Sequence, residues 1–149
     1  TVLGLCEKLC GATSFKTVVE MAEGGQLDRV DLNICDISKG VISTLTPDTT
    51  ASNFGKMEDS VSPQDLTVGV LNMVFQTIGM MAVFACRNDS VKDVVLTGTL
   101  TQVPFAKRVF EALHKMHGVN FIIPPNAIYA TATGAALSYL YKHGKIHVD

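Results

Sequence analysis

Thr97, Gly98 and Thr99 are the residues best placed, by type and spacing, to hold a ligand. They follow a short apolar run, Val94, Val95 and Leu96, and precede Pro104, which suits the first turn of a helix because its missing N–H has no partner there. A strand buried on both faces, a Gly-centred turn and an amphipathic helix are therefore expected over 93–113. In open α/β sheets, ligands bind beyond the carboxyl ends of strands, where such turns sit. Gly98 lets a bound group approach the backbone, and the flanking hydroxyls can hydrogen-bond a sugar or a phosphate. Many αβ crossovers carry such a glycine for steric reasons alone, so the unit draws its weight from its surroundings.

Other residue types capable of chemistry are less well arranged. Cys6 and Cys10 share a helix face, but no CxxC and no nearby His completes a metal site, so Cys6, Cys10, Cys35 and Cys86 are expected as buried free thiols. His114 and His117, and again His143 and His147, have the spacing of half a metal site; solvated or helix-end histidines are the simpler account. Asp28, Asp31 and Asp36 fit no magnesium loop and are expected as exposed acids around a strand. Thr1 opens a different chemistry, since an N-terminal threonine can be a nucleophile with its own amine as base, as in an amidohydrolase. Such an enzyme is expected to begin with a strand, whereas 2–10 reads as helical.

The elements that position these residues follow from periodicity and caps. Short helices are expected over 2–10 and 14–23, capped by Ser14 and ended by Gly24-Gly25. Residues 30–37, VDLNICDI, alternate like a strand, and 43–54 is a polar, Thr-rich loop containing Pro47. Ser62-Pro63-Gln64-Asp65 starts a helix that runs to about Arg87. Its uncharged stretch 66–86 meets the length rule for a membrane span. Asn72, Gln76 and Thr77 in mid-segment, and flanks without a basic cluster, argue against that. Gly69, Asn72, Gln76, Gly79 and Val83 form a seam of small and polar residues, suggesting the spine of a homodimer interface over 63–87, although a core-crossing helix would look much the same. Strand 119–123 and helix 127–141, rich in Ala and Gly for close packing, complete an α/β layer with a parallel sheet.

At 149 residues, 47% hydrophobic and with a formal charge of −2, the chain is one domain or one lobe of a larger protein. The charge gives no reason to expect nucleic acid or an anionic membrane surface as partner. No secretory signal is evident, and four cysteines in a chain of this size read as cytoplasmic. A first residue Thr1 suggests that sequence upstream is missing or cleaved.

Several segments, in order, resemble the carboxyl-terminal part of type II pantothenate kinases, of the acetate kinase, sugar kinase and actin superfamily. TVLGL looks like the residues finishing a GTGGG glycine loop, GATSFKTVVEMAEGG like a helix with a "DMAxxG" ending, and DLNICDI like "DLxVxDIY". ASNFGKM resembles "AANFG/ASSFG", VVLTGTL a "VVxxGxxx" nucleotide strand, and YATATGAALSYL a closing "FSGAIGALYL". The resemblance covers nearly the whole chain. It implies that 1–149 is the carboxyl-terminal lobe of a two-lobed kinase with an actin-like (ribonuclease H-like) ATPase fold, a mixed or parallel sheet flanked by helices and a long interface helix.

The activity implied is transfer of the γ-phosphate of ATP, with Mg2+, to pantothenate, the first step of coenzyme A synthesis. The phosphate loop and the catalytic Glu of the amino-terminal lobe are expected upstream of Thr1, so this chain alone should be inactive and holds no catalytic or metal residue. Its share would be the adenine and ribose side of the pocket. Thr1, Val2 and Leu3 end the glycine-loop region, Phe15 is placed against adenine or as a staple between helices, and Gly98 gives clearance beside Thr99, which contacts ATP or caps a turn. Asn53, Phe54 and Gly55 look structural or interfacial. Leu100 departs from the small or polar residue usual there. His114 is placed towards a partner subunit's pantothenate pocket. A non-catalytic nucleotide- or acyl-CoA-binding module is the alternative, separated by nucleotide binding without phosphate transfer.

Overall fold

The Ser62 hydroxyl accepts the Asp65 N–H at 3.1 Å, and the Asp65 carboxylate accepts the Ser62 N–H at 3.0 Å, the reciprocal pair that closes a helix start. In the computed structural model, which describes residues 1–40, 42, 45–57 and 59–147, this start launches a helix of 24 residues. In chain order the elements are α1 (Val2–Cys10), α2 (Phe15–Gly24), β1 (Leu32–Asn33), α3 (Ile34–Ile37), β2 (Thr50–Ser52), α4 (Pro63–Cys86), β3 (Asp93–Val95), α5 (Pro104–His117), β4 (Asn120–Ile122) and α6 (Ala130–Lys142). β1 pairs antiparallel with β2, and β3 parallel with β4. The described residues thus form an α/β structure, rich in helix, with small sheets.

Helix α4 is the axis, with α1, α2 and α5 packed against it. Val70, Leu71 and Phe75 of α4 meet Val2 and Cys6 of α1, Val18 of α2, and Val109, Phe110 and Leu113 of α5 in one buried cluster. Phe110 touches Phe75 edge-on at 5.8 Å between ring centroids and Phe121 of β4 at 4.9 Å, so one ring joins helix to helix and helix to sheet. By length and composition α4 could cross a membrane. Its buried Asp65 and Asn72, and three helices laid along it, identify it as a core helix.

The seam on α4 is filled by the chain itself, the core-crossing arrangement that the same pattern also allows. A Cβ at Gly69 would meet Val30 Cγ1 at 2.7 Å, and one at Gly79 would run into Leu113 of α5. Asn72 Nδ2 donates to Asp31 at 2.7 Å. Asp31, expected as an exposed acid, is fully buried. Its carboxylate also accepts from Phe54 N–H at 2.8 Å, Asn53 Nδ2 at 3.1 Å and Thr50 Oγ1 at 3.4 Å. Asp28 and Asp36 are exposed, as expected.

Other differences have local causes. Of the strand expected over 30–37, only Leu32 and Asn33 are extended. The Asp36 carboxylate accepts the Asn33 N–H at 2.8 Å and turns Ile34–Ile37 into α3, so a local cap prevails over alternation. The loop expected over 43–54 contains β2, held by β1 and Asp31; Ser43 and Thr44 lie outside the described residues. β3 and β4 are covered on one face only: Val94 and Phe121 turn inward, while Val95 and Ile122 are exposed. The helix expected over 127–141 opens with a 3-10 turn, Ala127–Tyr129, and none of the residues of α6 is buried. Among the described residues, a Cβ on its Gly134 would meet no atom within 4 Å.

Replacing Asp31 with Ala removes the shared acceptor of four donors, one of them on buried Asn72, and should cost about 3 kcal/mol, read as a fall in the urea midpoint, with Asp31→Asn intermediate. Burial would raise the Asp65 carboxyl, but the N–H groups of Gln26 and Ser62, the Ser62 hydroxyl and Arg29 outweigh it and hold the group below its ordinary 3.8. A depressed carboxyl stabilises the fold above its ordinary pKa, and that contribution is lost as pH falls through the depressed value. The melting temperature of Asp65→Asn should therefore fall less steeply than that of the parent chain between pH 5 and 2.

Candidate functional site

The turn after β3 is built on Gly98, whose φ of 97° and ψ of 176° are open to glycine and strained for other residues. Its N–H donates to Ala127 O at 2.9 Å, and its carbonyl accepts both Thr101 N–H at 3.1 Å and Thr101 Oγ1 at 2.7 Å. These bonds fix a 3-10 turn, Thr99–Gln102, with Thr99 exposed. A Cβ on Gly98 would meet no atom within 4 Å. Glycine is required there by the backbone angle, and the space above it is open.

Thr99 and Leu100 form one wall of a cavity of about 680 Å³. Thr1, Val2 and Leu3, at the start of α1, form a second wall, and Phe15, the first residue of α2, a third. Met73, Val74, Thr77 and Ile78 of α4 complete it. The structure therefore brings Thr1, Val2, Leu3, Phe15 and Thr99 together from three distant segments. Gly98 sets the turn that carries Thr99 but is not itself a wall residue. Phe15 is half-buried and packs on the core while lining the cavity.

The α4 wall escaped the sequence analysis. Its signal was present: Met73, Val74, Thr77 and Ile78 lie off the Gly69–Asn72–Gln76–Gly79 seam, and a helix apolar all round must have a second face covered or used. Asn72 likewise announced a buried partner, because an amide in an apolar helix must be hydrogen-bonded; that partner is Asp31.

Among the described residues no charged side chain lines the cavity; the polar side chains there are the hydroxyls of Thr1, Thr77 and Thr99. Thr77 Oγ1 donates to Met73 O at 2.8 Å. Thr1 makes no side-chain cap, so the first-turn N–H groups of α1 lie at the cavity without intrahelical partners, at the positive end of the helix dipole. Apolar walls, hydroxyls and a helix start suit a nucleoside with its phosphates. Magnesium is different: it takes carboxylate oxygens, and the cavity walls have none. Among the described residues no group of three His, Cys, Asp or Glu is placed to hold a metal ion.

Several other candidates have structural partners. His114 Nδ1 lies 3.0 Å from Val119 O, and His143 Nδ1 lies 2.8 Å from Tyr139 O, both at helix ends. Asn53 and Phe54 bind Asp31, and a Cβ on Gly55 would press on Ser52 at 2.8 Å, so this segment is structural. Thr1 leads straight into helix α1 rather than into the strand expected of an N-terminal nucleophile. Burial, with Cys10 alongside, pushes the Cys6 thiol up to about 11.

The Fumble family model matches residues 1–113. This chain belongs to the Fumble family. The matched span takes in every wall of the cavity and the Asp31 network, and the Fumble model ends within α5, before β4 and α6. A type II pantothenate kinase of Oceanobacillus iheyensis is 31% identical over 140 residues, 91% of this chain and 53% of the relative. Those of Staphylococcus haemolyticus and Staphylococcus aureus are 25% and 24% identical over 139 residues, 90% of this chain and 52% of each relative. This Fumble chain spans about half the length of the curated relatives it matches.

Gly98→Ala should destabilise the chain by about 1–3 kcal/mol through its backbone angle alone, although space for the methyl exists. Chemical denaturation of the two proteins measures this; equal midpoints would show that the turn does not need glycine.

Proposed function

We propose that the protein carrying this chain phosphorylates pantothenate with ATP, and that the chain is the carboxyl-terminal lobe of an actin-like kinase supplying the adenosine side of the nucleotide site. One observation carries this: residues 1–3, 15 and 99, drawn together by the resemblance from separate motifs, line one cavity. The relatives' names support the reaction class.

Phosphoryl transfer depends mainly on positioning and on neutralising phosphate charge. In this reading Phe15 and the aliphatic walls hold the base, Thr99 hydrogen-bonds the sugar, and the start of α1 faces the phosphates. The general base and the phosphate loop belong to the other lobe. Magnesium would supply neutralisation of the phosphate charge, and none of the described residues lining this cavity carries a carboxylate to hold it. A homodimer through 63–87 would use exposed Met81 and Phe84, because the small-residue seam is occupied. The reaction belongs in the cytoplasm.

The test is formation of phosphopantothenate from pantothenate and MgATP by the full-length protein. Thr99→Val should raise the KM for ATP about 2- to 10-fold, the worth of one neutral hydrogen bond. Phe15→Ala should raise it about 10-fold or more through lost stacking. The KM for pantothenate should stay put in both. An ATP KM that neither substitution moves would remove this cavity from the nucleotide site.

A further inference from the structure

A glycine, free in its backbone angles, is a poor footing for a ligand contact unless it is held on both sides. Gly98, at φ 97° and ψ 176°, is the residue from which the chain swings out to Thr99. On its amino side, its N–H is tied to Ala127 O at 2.9 Å. On its carboxyl side the peptide unit is planar, so the Gly98 carbonyl, Thr99 N and Thr99 Cα move as one body. Whatever holds the Gly98 carbonyl therefore aims Thr99.

Thr101 holds that carbonyl twice. Its backbone N–H donates at 3.1 Å and its hydroxyl at 2.7 Å. The first is the bond of a 3-10 turn, whose geometry is poorer than that of an α-helix. The second is shorter, and comes from a β-branched side chain with few rotamers to choose from. Thr101 is itself firmly rooted, because Val103, two residues on, is buried in the core cluster and donates its N–H to Leu100 O at 3.2 Å. Thr99 and Leu100 line the cavity assigned to the nucleotide, whereas Thr101 lines a separate cavity with Phe110, His114 and Phe121. The turn thus has a ligand side and a bracing side.

We infer that Thr101 is a positioning residue for the nucleotide: by holding the Gly98 carbonyl, its hydroxyl aims the Thr99 hydroxyl at the sugar without touching the ligand. The inference rests on the nucleotide reading above and concerns how that site is held. Thr99 supplies the contact and Thr101 its direction, so removing either hydroxyl loses the same interaction.

The experiment is displacement of trinitrophenyl-ATP from the full-length protein by ATP, read by fluorescence, in Thr99→Val, Thr101→Val and the double variant. Each single substitution should weaken ATP about 2- to 10-fold, the worth of one neutral hydrogen bond. The double variant should lose about as much as Thr99→Val alone, well short of the product of the two, because the residues act through one contact. Thr101→Ser, which keeps the hydroxyl, should bind ATP as the parent chain does, and the KM for pantothenate should stay put throughout. A Thr101 that merely stabilised the turn would lower the melting temperature on substitution and leave ATP affinity as it was. That result, or losses that multiply in the double variant, overturns the inference and leaves the nucleotide site standing. Should Thr101→Val fail to fold, Thr101→Ser and Thr101→Ala, which differ only in the hydroxyl, make the same comparison. If ATP does not displace the probe from the parent protein, or Thr99→Val leaves its affinity unchanged, the Thr99 contact itself falls, and the role of Thr101 with it.

Discussion

Taking a carboxylate out of water costs several kcal/mol unless donors replace its hydration, and Asp31 recovers them from segments far apart in sequence. Asn72 reaches it from the middle of α4, Phe54 N–H and Asn53 from the stretch after β2, and Thr50 from β2 itself. Asn72 Nδ2 also lies 3.1 Å from Thr50 Oγ1, and Gln76 Nε2 bonds Asn72 Oδ1 at 3.4 Å, extending the network one turn along the helix. A carboxylate so placed fixes the rotation of α4 about its axis. Turned by one residue, the helix would take Asn72 away from Asp31 and Gly69 away from Val30, with a larger side chain pressed into the space.

That fixed rotation gives α4 two uses. Its seam of Gly69, Asn72 and Gly79 admits Val30, the Asp31 network and Leu113 at close range. The face bearing Met73, Val74, Thr77 and Ile78 is thereby turned towards α1, Phe15 and the turn after β3. Asn72 and Met73 are adjacent residues, so the backbone that satisfies the buried carboxylate also sets the depth of the cavity wall. Core packing and cavity shape are one constraint.

Local signals were legible in the sequence where they act within a few residues. Ser62 and Asp65 defined the start of α4, Ser14 caps α2 through Thr17 N–H, and Pro104 opens α5. The parallel pairing of β3 with β4 follows from the strand–helix–strand order. What was illegible depended on distant partners. Nothing near Asp31 says that four donors will bury it, and nothing in 43–54 announces that β1 will draw Thr50–Ser52 into a strand. Val95 and Ile122 read as interior because apolar runs normally are; each faces outward here because α5 covers only one side of a two-stranded sheet. Of the cavity walls, residues 1–3, 15 and 99 had been singled out by motif resemblance, while the α4 wall, apolar and unremarkable in type, had not.

The cavity walls come from residues 1–3, 15, 73–78 and 99–100, and a site assembled from such distances keeps its shape only if the parts cannot slide. Each wall is anchored just behind its surface. Val2 and Cys6 bury α1 against α4, and Val18 does the same for α2. Val103 and Ala106 root the turn of Thr99 in the same cluster, and Gly98 ties it across to Ala127. Positioning chemistry tolerates little looseness, since misplacement by about 1 Å can cost about 100-fold in rate. The hydrophobic cluster around Leu71 and Phe75 is therefore more than a source of stability: it is the common footing on which four separate stretches of chain hold one cavity open.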